Sequence, residues 1–239
     1  AIVEAGKEFG LRQVGSRAYS SNTLESGWIP SPLPAVYTGD ELRAYREWLP
    51  DTSFEAVGSL GGSFVTPNIE DYYLNPWELG YGRILKFDHD FVGREALEEM
   101  AKRPHRKKVT LAWNGEDVAK VFAALFTKPK GQRPKYIDLP GTQYATWMYD
   151  AVRNKQGDIV GISTFCGYSS NEASMLSLAM VDEAYAEPGT EVILVWGEPD
   201  GGTRKPSVER HVQVELRATV GPVPYAEPSR RYRETVVGR

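Results

Sequence analysis

Six short runs in the second half of the chain constrain its fold most. They are 107–113 (KKVTLAW), 144–152 (YATWMYDAV), 158–165 (DIVGISTF), 175–181 (MLSLAMV), 191–197 (EVILVWG) and 211–220 (HVQVELRATV). All are β-rich, and glycine or proline turns stand between them. Runs of this kind pair as an antiparallel barrel or sandwich. Ahead of them the pattern is helical and irregular, so the fold class is α+β.

The 239 residues carry a formal net charge of −4, and 41% of them are apolar. That is enough chain for one large domain or two small ones with real cores. Mild acidity supplies no field for nucleic acid or an anionic membrane. No run approaches the roughly 20 apolar residues of a membrane span, and no secretory signal is expected. The basic run 103–108 (RPHRKK) reads as a solvated face or turn. Cys166 is the single cysteine, which excludes an internal disulfide and a thiolate metal cluster. Within ISTFCGYS it reads as a buried, inert thiol. His89, His105 and His211 are scattered without ligand-like spacing, so no metal site is expected. These features suit a reducing, cytoplasmic setting.

The chain opens on AIVEAGKEF, a helical pattern with Gly10 where a helix would end. A helix at residue one, with no capping residue before it, suggests the C-terminal part of a longer polypeptide. Pro30, Pro32 and Pro34 punctuate an extended segment. Residues 40–49 (DELRAYREWL) predict a short helix capped by Asp40. The glycine-rich turn 59–64 (SLGGSF) lacks the spacing of a phosphate or dinucleotide loop. Residues 90–102 predict a helix entered through Gly93 and ended before Pro104, with Glu95 favouring its N-terminus. Asp88, His89 and Asp90 read as helix capping. Residues 122–137 (FAALFTKPKGQRPKYI) read as a mobile surface loop, and the tail from Pro222 as having no core of its own. Domain boundaries are expected near 69 and 106.

One stretch asks for more than structure. Residues 15–32 (GSRAYSSNTLESGWIPSP) are polar and loop-rich, yet carry Arg17, Tyr19, Glu25 and Trp28. From the residues alone Tyr19 is a loop anchor or an acid, Trp28 a core plug or a pocket wall. Arg17 either pairs with Glu25 or meets a ligand.

Three segments taken in order resemble the folate-dependent aminomethyltransferases. Residues 75–97 (NPWELGYGRILKFDHDFVGREAL) carry a Pro-aromatic-Glu-x-Gly element before a strand and an Asp-Phe-Val-Gly-Arg-Glu-Ala-Leu helix start. Residues 161–181 and 188–195 (PGTEVILV) resemble the family's C-terminal barrel. Residues 10–27 resemble its Gly-x-Arg and Leu-Glu-x-Gly segment. The resemblance implies the end of a folate-binding α/β domain (1–69), a connecting helical segment (70–106) and a C-terminal antiparallel β-barrel with its tail (107–239). It also implies a partner in the N-terminal half of the same polypeptide.

Glycine-cleavage members read Arg-Asp-x-Leu-Arg-Leu-Glu-Ala-Gly where this chain reads from Arg17 to Gly27. The second Arg is lost, two residues are gained, and Tyr19 is present. In this the chain is similar to the tetrahydrofolate-dependent O-demethylases of vanillate and 3-O-methylgallate. That resemblance implies Tyr19 as the catalytic tyrosine, with Arg17, Glu25 and Trp28 binding substrate or folate. The chemistry is coherent. Displacing a methyl group from an aryl ether expels a phenolate, and tyrosine, at an ordinary pKa of about 10, is a matched acid. An arginine can hold a carboxylate in bidentate fashion, and an indole offers a face for stacking. The expected reactants are a small methoxylated aromatic acid and tetrahydrofolate. The alternatives are an aminomethyl or N-methyl donor, or a non-catalytic folate-binding scaffold. The cysteine motif of the iron–sulfur assembly relatives is missing from 89–96 (HDFVGREA).

Overall fold

The computed structural model describes residues 1–29 and 31–237, and the side chains of all of these except 236 and 237; Pro30 therefore lies outside the described residues. The first part is helical. Helix α1 (Ile2–Gly6) continues as a 3-10 turn to Phe9 and stops at Gly10, whose φ is 70°. Then come α2 (Ser16–Ser26), α3 (Arg43–Trp48), α4 (Phe54–Val57), the two-residue strand β1 (Leu60–Gly61) and α5 (Arg94–Ala101). Asp40 does not cap α3. Leu42 holds that position, and Asp40 pairs instead with Arg43 at 2.5 Å. Gly93 enters α5 at φ 89°, as its lack of a Cβ permits. Asp88 and Asp90 supply no side-chain cap there: Asp88 meets His89 at 3.0 Å and Asp90 meets Arg94 at 3.2 Å.

From Lys107 the chain is β. It runs through β2 (Lys107–Trp113), α6 (Gly115–Thr127), β3 (Gly141–Thr142), β4 (Trp147–Met148), β5 (Asp150–Arg153), β6 (Ile159–Ser169), β7 (Ser174–Val181), β8 (Glu191–Trp196) and β9 (Val214–Gly221), and ends in α7 (Glu227–Val237). The pairing order β6-β5-β8-β9-β2-β7, with β7 returning to β6, closes a six-stranded barrel in which every pairing is antiparallel. β3 adds to β6, and β1 pairs parallel with β4. The expected α+β organisation is present.

Period-two alternation decides which side chains fill the barrel. Along β7, Met175, Ala179 and Val181 point inward to join Leu111, Trp113, Leu194 and Trp196. Leu176, Leu178 and Met180 point outward, yet are fully buried, because Leu24 of α2 together with Ile29, Leu33 and Tyr72 covers them. One strand thus serves two cores, which is why 175–181 reads as nearly continuous apolar sequence. The helix comes close where β6 has no side chain: a Cβ on Gly167 would lie 3.0 Å from Leu24 Cδ1 and 2.2 Å from the Pro140 carbonyl oxygen.

One expectation fails here. Residues 122–137 are no mobile loop: α6 takes them to Thr127, and the rest forms a strap across one end of the barrel. Val212 N–H donates to the Arg133 carbonyl at 2.9 Å, and Ile137 is fully buried. Lys135 is fully buried as well, with its ammonium 3.2 Å from the Tyr144 ring centroid and 4.1 Å from that of Trp196. Asp150 Oδ1 at 3.8 Å and Glu198 Oε2 at 3.4 Å balance its charge. The tail packs as α7 against α2, and Tyr225 and Ala226 N–H both donate to the Glu25 carbonyl, at 3.0 and 3.1 Å.

Candidate functional site

The stretch read as a loop is largely a helix. Gly15 in extended conformation starts α2, and Gly27, at φ 75°, ends it in the left-handed cap. Only Thr23 and Leu24 of α2 are buried, so packing on the barrel rather than amphipathicity holds the helix in place. Tyr19, Asn22 and Ser26 follow at i, i+3 and i+7, and so share one face. Tyr19 is 56% exposed and Trp28 is 42% exposed. Their rings meet edge to face, with centroids 5.8 Å apart and planes at 80°. Arg17 lies just over half a turn from Tyr19, is exposed, and forms no ion pair among the described residues.

Glu25 does not reach Arg17. Its carboxylate accepts from Ser169 Oγ at 2.5 Å and from Asn171 Nδ2 at 3.1 and 3.2 Å, which ties α2 to the β6–β7 turn. The structure therefore brings Tyr19 and Trp28 together and leaves Arg17 and Glu25 apart.

Trp28 also lines a pocket of about 580 Å³, together with Asn22, Tyr81, Lys108, Tyr232 and Arg233. Neither Lys108 nor Arg233 was expected here. The run 103–108 is exposed at Arg103, Pro104 and Lys107, but turns inward at two of its cations: Arg106 pairs with the buried Glu78 at 2.7 Å, and Lys108 is half-buried. Lys108 Nζ donates to the Gly27 carbonyl at 2.8 Å and the Leu79 carbonyl at 2.6 Å, and lies 5.5 Å from the Tyr81 ring centroid. One ammonium thereby joins the end of α2, the segment before α5 and the start of β2. Burial, and then the nearby Arg233, lower the Lys108 pKa to about 8. A sequence signal for Lys108 exists: it is the last charged residue of β2 before the apolar run that begins at Val109, where a barrel strand leaves the surface.

A larger cavity, about 660 Å³, is lined by Ser59–Gly62, Tyr72, Tyr144 and Glu198, and shares no residue with the Trp28 pocket. Its glycine-rich turn faces a carboxylate: Gly62 N–H donates to Glu198 Oε1 at 3.0 Å. Cys166 is buried among apolar groups, which push its thiol far above the ordinary range. His105 stacks on Trp77, with ring centroids 4.8 Å apart. Among the described residues no three His, Cys, Asp or Glu side chains converge as a metal site. Among the described residues no helix is long and apolar enough to cross a membrane either.

No family model matches the chain. It is 53% identical over 230 residues to a syringate O-demethylase of Sphingobium sp., a match covering 96% of this chain and 49% of that one. It is 33% identical over 241 residues to a sesamin methylene transferase of Sinomonas sp., covering 94% and 50%. An aminomethyltransferase of Streptomyces avermitilis is 31% identical over 123 residues, covering 49% of this chain and 26% of the relative. These matches bear out the resemblance to the aminomethyltransferase group and, within it, to O-demethylases. The chain spans about half the length of the two relatives it matches along nearly its whole course.

Proposed function

We propose that this chain, related to an O-demethylase, a methylene transferase and aminomethyltransferases, is the C-terminal portion of a tetrahydrofolate-dependent aryl-methyl-ether O-demethylase. Its substrate is a small methoxylated aromatic acid such as syringate, vanillate or 3-O-methylgallate. The methyl group passes to a nitrogen of tetrahydrofolate, leaving the phenol. In this reading residues 1–69 complete the folate-binding domain, 70–106 connect, and 107–239 form the barrel and tail. The N-terminal half of a longer polypeptide supplies the rest of the site.

The observation that carries the reading is the Tyr19–Trp28 pair at the edge of a cation-bearing pocket. Tyr19 projects from a helix anchored at Thr23, Leu24 and Glu25, so its hydroxyl is presented from a fixed element rather than a loose loop. It donates its proton to the ether oxygen as the C–O bond breaks, and a phenolic donor matches a phenolic leaving group. The Trp28 indole limits the phenol's approach on one side and offers an apolar wall to a planar reactant. Holding both reactants in line lowers the barrier by up to about 7–11 kcal/mol.

Product analysis tests this directly. The chain, alone and within a polypeptide of its relatives' length, is incubated with tetrahydrofolate and syringate or vanillate, and the products are read by mass spectrometry. 5-Methyltetrahydrofolate and the demethylated acid in equal amounts are expected from the longer polypeptide. No methyl transfer from either acid, with folate product formed only when an aminomethyl or N-methyl donor takes its place, would establish the competing reading.

A further inference from the structure

The pocket beside Trp28 carries more positive charge than the chain itself neutralises. Lys108 spends its ammonium on two carbonyls, and among the described residues Arg233 reaches only the Val223 carbonyl, at 3.5 Å. Neither has a carboxylate partner among the described residues, and Arg83, whose charge bears on Arg233, has none either. Elsewhere on α7, Arg231 pairs with Glu227 one turn away, and Arg230 donates to the Pro224 and Tyr225 carbonyls. Like charges gathered without a counter-charge repel one another and leave a potential that draws in an anion. The first turn of α7 adds to it, for Pro228 and Ser229 line the pocket at the positive end of an 11-residue helix. The walls are planar: Trp28, Tyr81 and Tyr232. A volume of about 580 Å³ suits a small organic ligand, such sites being roughly 300–1,000 Å³.

We infer that the pocket between Lys108 and Arg233 binds a carboxylate borne by one of the two reactants, the aromatic acid or the glutamyl end of the folate, with the ligand's planar part against Trp28. The identity of the reactants rests on the proposed function; the anion preference rests on the pocket. Arg233 makes a bidentate contact with the carboxylate, and Lys108 contributes charge from a fixed position. Trp28 touches Tyr19 on one side and lines the pocket on the other, so a carboxylate held here sets the distance of the attached ring from the Tyr19 hydroxyl.

Calorimetry on the 239-residue chain tests this with two acid–amide pairs, vanillate against vanillamide and folate against its α,γ-diamide. At least one acid is expected to bind ten or more times tighter than its amide. Arg233→Gln weakens that acid by about 10–100-fold, the range of a charge-assisted hydrogen bond, and leaves the amide unchanged. Arg233→Lys keeps the charge but not the bidentate contact and recovers only part of the affinity, and Arg231→Gln retains all of it. The acid that responds identifies the source of the carboxylate. Equal binding of acid and amide, an unaltered Arg233→Gln variant with native circular dichroism, no binding of either acid, or equal displacement by inorganic phosphate would each overturn the assignment. Binding is read without turnover. Failure of methyl transfer with acid binding intact therefore counts against the demethylase reading alone.

Discussion

Replacing Lys135 should unbalance the end of the barrel, and the structure sets the size of the effect. Its ammonium is fully buried between the rings of Tyr144 and Trp196 and faces two buried carboxylates, Asp150 and Glu198. Lys135→Met keeps most of the stem's volume but leaves that negative charge uncompensated. Breaking a buried pair in this way costs about 3–5 kcal/mol. With a urea dependence of roughly 2–3 kcal/mol/M, the midpoint falls by about 1–2.5 M. The loss depends on pH, with a definite sign. Burial raises the Asp150 pKa against the opposing pull of Lys135, so removing the ammonium raises it further. A carboxyl raised in the folded state costs nothing below its unfolded pKa, near 4, and destabilises progressively as pH rises toward the folded value. The deficit of Lys135→Met should therefore be smaller at pH 5 than at pH 8, and Asp150→Asn in the same chain should recover part of it. Urea titrations at both pH values measure this. A midpoint within 0.3 M of the parent's, or a deficit that grows on acidification, would refute the electrostatic account of the strap.

Three further outcomes follow from local geometry. Gly27→Ala should cost roughly 2 kcal/mol or more, because φ is 75° and the new Cβ would fall 2.2 Å from Val223 Cγ1; thermal unfolding of the variant reads it. Cys166 should resist thiol reagents in the native chain and react at the free-thiol rate in urea, its thiol being buried and pushed upward; a fast native reaction would place it at the surface. Lys108, lowered to about 8 by burial, is charged below that pH and neutral above it in the folded chain, while the unfolded amine stays charged to about 10.5. Stability should accordingly rise from pH 8 to 10.5 relative to Lys108→Met, while carboxylate binding beside Tyr81 and Arg233 weakens over the first part of the same rise.

The barrel was legible because its strands alternate with period two between glycine and proline turns, and all six expected runs contribute to it. Helix α5 was legible through Gly93 and its apolar spacing. Helix α2 was not, since SRAYSSNTLES buries only Thr23 and Leu24 and owes its order to the barrel surface beneath it. Lys135 was hidden for the opposite reason: in KPKGQRPKYI nothing separates it from its solvated neighbours, and only the tertiary fold supplies the two rings and two carboxylates that bury it. At the site, the Tyr19–Trp28 pairing lay within reach of the sequence because the two rings are nine positions apart, with the glycine cap Gly27 between them. The cations opposite them did not, since β2 and α7 meet α2 from positions about 80 and 200 residues further along the chain. The bonds from Ser169 and Asn171 to the Glu25 carboxylate, which fix α2 to the β6–β7 turn, were equally out of reach, since those partners lie about 145 residues away in sequence.

The most direct measurement is single-turnover methyl transfer by Tyr19→Phe, made in a polypeptide of the relatives' length alongside calorimetric binding of tetrahydrofolate. The ring, its edge-to-face contact with Trp28 and the pocket all survive this change, and only the hydroxyl is lost. Proton donation of this kind contributes roughly 10²–10⁴-fold. The account predicts a rate loss in that range, with folate affinity within threefold of the parent's. An undiminished rate with intact binding would remove Tyr19 from the chemistry and contradict the account.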